Sequence, residues 1–318
     1  MADFRITDLK PGMNTQNELY ILWSCDIKKA SNGKLYLDMY FRDSTGEING
    51  KKWETSQNEY DLLQTSKLYY VNGRISEYLG SLQLTVLSMR LAPESIQNTI
   101  SKYVQSAPFS AEDMLKKVYD YINAIEDKEL HDLCKLVYDE NKSAVSYYPA
   151  AKALHHSIMG GYLYHITTML DLAKAMSTVY SNVNTDFLYS GVLLHDIMKL
   201  KELNSNEFGI AEYSDEGQLL GHIEMGICYL GEMGKRVNLS SNKETLLKHM
   251  ILSHHYIPEH GSTKMPMFIE AELLHHIDKI DSRVYDFNKA YESLEKGQIS
   301  EKFIFSLDRR VLLPDFEK

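Results

Sequence analysis

Between residues 35 and 41 apolar and polar side chains alternate: Leu35, Leu37, Met39 and Phe41 fall on one face, Tyr36, Asp38 and Tyr40 on the other. A period of two is that of a half-buried strand. Asn32-Gly33 and Thr45-Gly46 punctuate the pattern as turns. Strand-like runs follow at 47–53, 67–76 and 82–91, the last two joined by Tyr78-Leu79-Gly80-Ser81. About five short strands therefore fit before residue 92, enough for a small β-barrel. Residues 93–109, with Pro93 and Pro108, read as a connector. At Ser110 the period changes. Ser110-Ala111-Glu112-Asp113 is an N-cap signature ahead of Met114, Leu115, Val118, Tyr121 and Ile122, and a helical period then runs to about residue 297. The pattern predicts two domains of α+β class: a barrel over 1–92 and an all-α bundle over 110–318.

Composition narrows this picture without changing it. The 318 residues suffice for two cores, and 44% apolar and 25% charged residues exclude disordered and fibrous classes. The net charge of −10 argues against a broad basic surface coating duplex nucleic acid, although a narrow groove is compatible with it. Acidity is unevenly placed: residues 1–100 are nearly balanced at −1, whereas 101–318 carry −9. Cys25, Cys134 and Cys228 form no CxxC pair, so a disulfide framework and a zinc ribbon are not expected. The N-terminal MADFRITDLK lacks an apolar signal core, and no run approaches the ~18 apolar residues of a membrane span. A reducing, cytoplasmic setting without membrane partners is expected.

Eleven of the twelve histidines lie between His155 and His276. The sharpest cue is Leu193-Leu194-His195-Asp196, an imidazole and a carboxylate side by side at the end of an apolar stretch. His165 precedes it, and His222, the pair His254-His255 and Asp278 follow. So many borderline ligands would be costly to bury without an ion. For His131, His249, His260, His275 and His276, core or surface roles suffice. A set of imidazoles and carboxylates without thiolates suits Mn²⁺, Fe²⁺, Co²⁺ or Mg²⁺ better than a closed structural zinc site. The ligand count suggests two divalent ions with Asp196 as the bridge, an arrangement suited to in-line displacement at a phosphodiester.

The order H…HD…H…HH…D resembles the HD-domain superfamily of metal-dependent phosphohydrolases. Several stretches narrow the likeness: Tyr147 to His156, Gly160-Gly161-Tyr162-Leu163-Tyr164-His165, Gly191 to Lys199, Leu219 to His222, Leu252 to His255, and Glu272 to Asp278. In combination they resemble the YhaM-type 3′→5′ exoribonucleases over almost the whole chain. The resemblance implies an N-terminal OB-fold, an HD helical domain, and hydrolysis of single-stranded RNA, and often DNA, to nucleoside 5′-monophosphates, supported best by Mn²⁺. It further implies that His165, His195, Asp196 and Asp278 hold one ion and His222, His254 and His255 a second. Asp281 is a second carboxylate on nearly the same face as Asp278. Lys199 matches the lysine of the family's HDxGK pattern, where it neutralises phosphate or leaving group; the other reading is a solvated lysine at a helix end. Met198 stands where that pattern has glycine. His156 is a candidate for proton transfer to the leaving oxygen, or for an orienting or structural role.

On the barrel, Tyr36, Tyr40, Lys51 and Trp53 share the polar face and form a candidate nucleic-acid surface, since aromatic faces stack unpaired bases and lysine meets phosphate; for Trp53, ordinary packing is the competing reading. Tyr78 offers less, and Lys28 and Lys29 read as solvated loop charges. Self-association is compatible with the sequence. Two other functions compete with the exonuclease: a phosphodiesterase for small nucleotides including cyclic dinucleotides, against which the segment after His255 lacks a GYP motif, and a non-catalytic nucleic-acid-binding protein. Asp196→Ala is expected to abolish hydrolysis with the fold largely intact.

Overall fold

The computed structural model describes residues 5–78, 80–151, 156–206, 209, 211–257 and 261–317. Of the positions singled out above, residues 1–4, Leu79, Lys152 to His155, and Pro258 to His260 lie outside these. The chain divides into two compact units, Met1–Ser106 and Ala107–Lys318.

The first unit is built on β1 (Asn14–Lys29), β2 (Leu35–Arg42), β3 (Glu47–Trp53), β4 (Lys67–Tyr78) and β5 (Ser81–Leu91), with the short helix α1 (Gln57–Asp61) between β3 and β4. The strands close in the order β1-β2-β3-β5-β4. The long β1 pairs with both β2 and β4, and β3 meets β5 in parallel, which is the topology of an OB-type barrel. The alternation in β2 is realised as expected: Leu37, Met39 and Phe41 are buried among Tyr20, Leu22, Val71, Ile75 and Leu84, while Tyr40 faces outward. Lys28 and Lys29 end β1 rather than occupying a loop, and Lys28 pairs with Asp38 at 2.6 Å. The segment after the barrel contains α2 (Glu94–Gln97); the Gln97 amide bonds the backbone of Leu68 on both its N–H and its C=O.

The second unit is helical: α3 (Ala111–Asn123), α4 (Lys128–Val145), α5 (Gly161–Val179), α6 (Thr185–Leu194), the short α7 (Lys199–Glu202), α8 (Asp215–Arg236), α9 (Ser241–Ser253) and α10 (Ile269–Tyr291). Ser110 caps α3 by accepting from the Asp113 N–H, as its sequence predicts. Seven of the ten α6 residues are buried, because its sequence is apolar on every side. It packs against α4, α5, α9 and α10. The centre of the bundle is thus α6, and the His-Asp step at its C-terminal end lies inside. A small hairpin, β6 (Leu203–Ser205) with β7 (Ala211–Tyr213), interrupts the helices. After α10 the chain continues as an irregular segment containing a 3₁₀ turn, Phe305–Leu307, in which Leu307 is fully buried. Among the described residues no helix is long and apolar enough to cross a membrane.

Candidate metal centre

His195 is the C-cap of α6, and its Nδ1–H donates to the Val192 carbonyl at 2.9 Å. That bond leaves Nε2 as the lone-pair nitrogen. His254, the C-cap of α9, repeats the arrangement, donating from Nδ1 to the Ile251 carbonyl at 2.7 Å. His222 donates from Nδ1 to Glu202 Oε1 at 3.0 Å, and His165, on α5, from Nδ1 to Asp281 Oδ2 at 2.6 Å. Four imidazoles from four helices are therefore oriented by an acceptor behind each ring, in the manner of ligating histidines.

Asp196 lies among them. Its Oδ1 stands 3.3 Å from His222 Nε2 and 3.7 Å from His254 Nε2, and its Oδ2 stands 3.4 Å from His195 Nε2 and 3.9 Å from His165 Nε2. Asp278, on α10, brings Oδ1 to 3.4 Å from His165 Nε2. Four sets of ligand atoms lie within 4.8 Å of one another: His165, His195 and Asp278; His195, Asp196 and His254; His222, His254 and His255; and His156, His165 and Asp281. His195 Nε2, His222 Nε2, His254 Nε2 and Asp196 Oδ1 are buried without a hydrogen-bond partner. Such atoms would cost free energy if left so, and a divalent cation satisfies all of them. The residues fit a metal centre.

The electrostatics of the His254-His255 pair agree with ligation. Burial, followed by the neighbouring His255 and His195, pushes His254 well below the usual imidazole range. Burial and His222 push His255 down to about 4. Both rings are neutral near pH 7 and able to donate a lone pair. Burial alone would raise Asp196, but Lys199 and His195 hold its carboxyl well below the usual range. The Lys199 ammonium is buried and 2.8 Å from Asp196 Oδ2. Lys199 is therefore no solvated helix-end lysine. Met198 takes φ −79°, so the backbone at this step asks for no glycine.

Two glycines shape the site. Gly221, in α8, has φ 74° and ψ 162°, a conformation reserved for glycine, and kinks the helix immediately before His222. The kink frees the His222 backbone N–H, which donates to Glu202 Oε1 at 3.1 Å. A Cβ on Gly161, at the start of α5, would collide with the His156 carbonyl oxygen, so glycine lets the His156 segment lie against that helix.

The two carboxylates of α10 have separate tasks. Asp278 faces the ligand side of His165, whereas Asp281 Oδ2 accepts from His165 Nδ1 and from His156 Nε2 at 2.7 Å. His156, also buried, thus shares an acceptor with a candidate ligand. The orienting roles of Glu202 and Asp281 escaped the sequence reading. Asp281 carried a signal in its spacing from Asp278; Glu202 carried none, because a bend in α8 brings His222 to it. Elsewhere His131 meets Asp132, His276 meets Glu272, His249 Nε2 accepts from the Met267 N–H, and His275 donates to the His254 carbonyl. None of these four histidines belongs to the sets above.

On the barrel, Tyr36 and Trp53 are register partners with ring centroids 4.8 Å apart and planes at 33°. Lys51 Nζ lies 5.2 Å from the Tyr36 ring and 6.0 Å from the Trp53 ring. Trp53 is 49% exposed and Tyr40 42%, so these rings stand outside the barrel core.

A helical core with a His-Asp step at the end of its central helix, ringed by oriented imidazoles, defines a hydrolase of the metal-binding HD class. The HD domain family matches residues 162–283. The chain belongs to the YhaM family of 3'-5' exoribonucleases. It is 36% identical over 296 residues to the 3'-5' exoribonuclease YhaM of Geobacillus sp. (strain WCH70), covering 93% of this chain and 90% of that protein. With the protein of the same name from Halalkalibacterium halodurans it shares 33% over 299 residues, covering 94% and 93%. Among solved structures, the second OB-fold domain of replication protein A from Methanococcus maripaludis is similar to 29% of this chain over 95% of its own, at 14% identity and a TM-score of 0.24.

Proposed function

We propose that this chain shortens single-stranded RNA, and also single-stranded DNA, from the 3′ end, releasing nucleoside 5′-monophosphates, with a barrel (1–92) and a catalytic helical domain (110–318) joined by residues 93–109. The observation that carries this reading is the convergence of His195 Nε2, His222 Nε2, His254 Nε2 and Asp196 Oδ1, buried and without hydrogen-bond partners, in a chain of this family.

In this reading His165, His195, Asp196 and Asp278 hold one divalent ion and His222, His254 and His255 a second. Nitrogen and oxygen ligands with no thiolate suit Mn²⁺, Fe²⁺, Co²⁺ or Mg²⁺, and Mn²⁺ is the first choice among them because the resemblance to the YhaM-type exoribonucleases implies it. Bound divalent ions supply an activated nucleophile and offset charge on the phosphate. Asp196 presents one oxygen to each side of the centre, and Lys199 keeps that carboxylate ionised while retaining further N–H donors for a phosphate oxygen. Asp281 and Glu202 hold the Nδ1 protons of His165 and His222, which keeps Nε2 available in each ring. His156, bound through Nε2 to Asp281, helps to position that carboxylate. Tyr36, Tyr40, Lys51 and Trp53 offer the strand an aromatic and cationic surface. Three free cysteines support a reducing, cytoplasmic setting.

The test is to incubate the Mn²⁺-loaded chain with 5′-labelled single-stranded RNA, duplex RNA and cyclic dinucleotides. Stepwise shortening of the single strand with release of 5′-monophosphates, stopped by EDTA, is expected. Hydrolysis of cyclic dinucleotides with the strand left intact would overturn the reading.

A further inference from the structure

A cavity of about 440 Å³ adjoins the metal centre and is lined by His255, Asp278, Lys279, Arg283, Phe305 and Ser306, among others. Its volume falls within the range of small-ligand sites. Asp278, Lys279, Ser282, Arg283 and Asp286 recur at one, three or four residues along α10, so the helix that contributes a candidate ligand also carries two cations along one stripe. The other wall comes from the C-terminal segment. Its turn is pinned to α10: the Arg283 guanidinium donates to the Leu307 carbonyl at 3.1 Å, and Leu307 is fully buried. On this anchored turn the Phe305 ring is 91% exposed, supported at its side by Phe303 with centroids 5.7 Å apart.

The geometry points to a subsite for the strand's terminal nucleotide, in which Phe305 stacks the base while Lys279 and Arg283 meet the phosphate chain beside the metal centre. The assignment rests on the exonuclease reading above. A nucleotide offers what this cavity is built to take: a flat apolar base for the ring, and an anionic phosphate for the cations and metal ligands. Stacking reads no base identity, so the subsite suits an enzyme that must accept every terminal nucleotide in turn.

The experiment compares the full chain with Phe305→Ala and Phe305→Trp on two 5′-labelled RNA strands, one ordinary and one whose 3′-terminal sugar carries no base. Because Phe305 is exposed, neither substitution disturbs packing. For the ordinary strand, Phe305→Ala should raise KM roughly 5- to 150-fold, the range of one lost stacking contact, and Phe305→Trp should restore it. The unsubstituted chain should show a comparable rise on the base-free strand, and Phe305→Ala should show no further rise there. Equal effects of Phe305→Ala on both strands, or none on either, would overturn the subsite while leaving the exonuclease reading in place. An unsubstituted chain that shortens neither strand would overturn both.

Discussion

Asp281 holds His165 from behind: its Oδ2 accepts the Nδ1–H at 2.6 Å, while Asp278 stands 3.4 Å from Nε2 at the opposite side of the same ring. One imidazole thus separates a carboxylate that can touch an ion from one that can only orient a ligand. Asp278→Ala should abolish metal-dependent hydrolysis even at high Mn²⁺. Asp281→Ala should instead weaken metal affinity roughly 10- to 100-fold, the usual cost of losing an orienting group, and excess Mn²⁺ should restore much of the rate. Activity measured across a Mn²⁺ titration separates the two. Reversed severity would make Asp281 the ligand.

The buried pair Asp196–Lys199 revises the expectation that Asp196→Ala leaves the fold intact. The substitution strands the ammonium of Lys199, a residue only 7% exposed, without its counter-charge. Breaking a buried pair by removing one partner costs about 3–5 kcal/mol, whereas replacing both with apolar groups is often neutral. Asp196→Ala should therefore abolish hydrolysis and lower stability together. Asp196→Ala combined with Lys199→Met should recover the stability and none of the activity. Urea denaturation of both variants beside the activity assay checks this, and full stability in Asp196→Ala alone would show that the pair is not buried in solution.

Gly221 gives a third expectation. A Cβ there has room, its nearest neighbours being the carboxylates of Glu224 and Glu202 at 3.8 and 3.9 Å, so the penalty of Gly221→Ala lies in the backbone. Holding a non-glycine residue at φ 74°, ψ 162° costs of order 1–3 kcal/mol, and the helix can relieve it by straightening. Straightening would draw His222 off Glu202. The variant should bind metal more weakly with only a modest fall in melting temperature. Unchanged metal affinity, read by calorimetric titration, would show that His222 is held by something other than the kink.

The barrel and the side chains that converge as candidate ligands were legible because each is written in short-range pattern. The period of two in residues 35–41 and the glycine turns beside it force a strand whose inner face is Leu37, Met39 and Phe41. The His-Asp step follows a run apolar on every side, and such a helix has no place but the centre of its bundle. What escaped is what tertiary packing decides. Nothing near Glu202 announces that His222, twenty residues on, will bond it. The ambiguity between Asp278 and Asp281 was inherent in the sequence, since residues three apart share a helix face; only the placement of the His165 ring between them separates their tasks. The segment after α10, with its bridges Ile299 to Leu312 and Ile304 to Arg309, lacks any period long enough to announce a structure.

The last expectation concerns the aromatic pair on the barrel. With centroids 4.8 Å apart and planes at 33°, Tyr36 and Trp53 back one another, so they offer a strand one platform rather than two independent faces. One base stacked on such a platform contributes roughly 1–3 kcal/mol. Removing either ring also removes the support of the other, so Tyr36→Ala and Trp53→Ala should each weaken binding of long single strands by roughly 5- to 150-fold. The double variant should fall little further than the worse single one, a non-additivity expected of residues in contact. Lys51→Gln should act differently, lessening the salt dependence of binding by a log–log slope of about 0.7, the share of one phosphate contact on a single strand. In all four variants kcat should hold, since these groups are not among the candidate metal ligands. Filter binding of a labelled 30-nucleotide strand across a salt series, beside steady-state kinetics, reads every one of these effects. If the double variant binds that strand as tightly as the unsubstituted chain, the barrel's aromatic face does not guide the substrate.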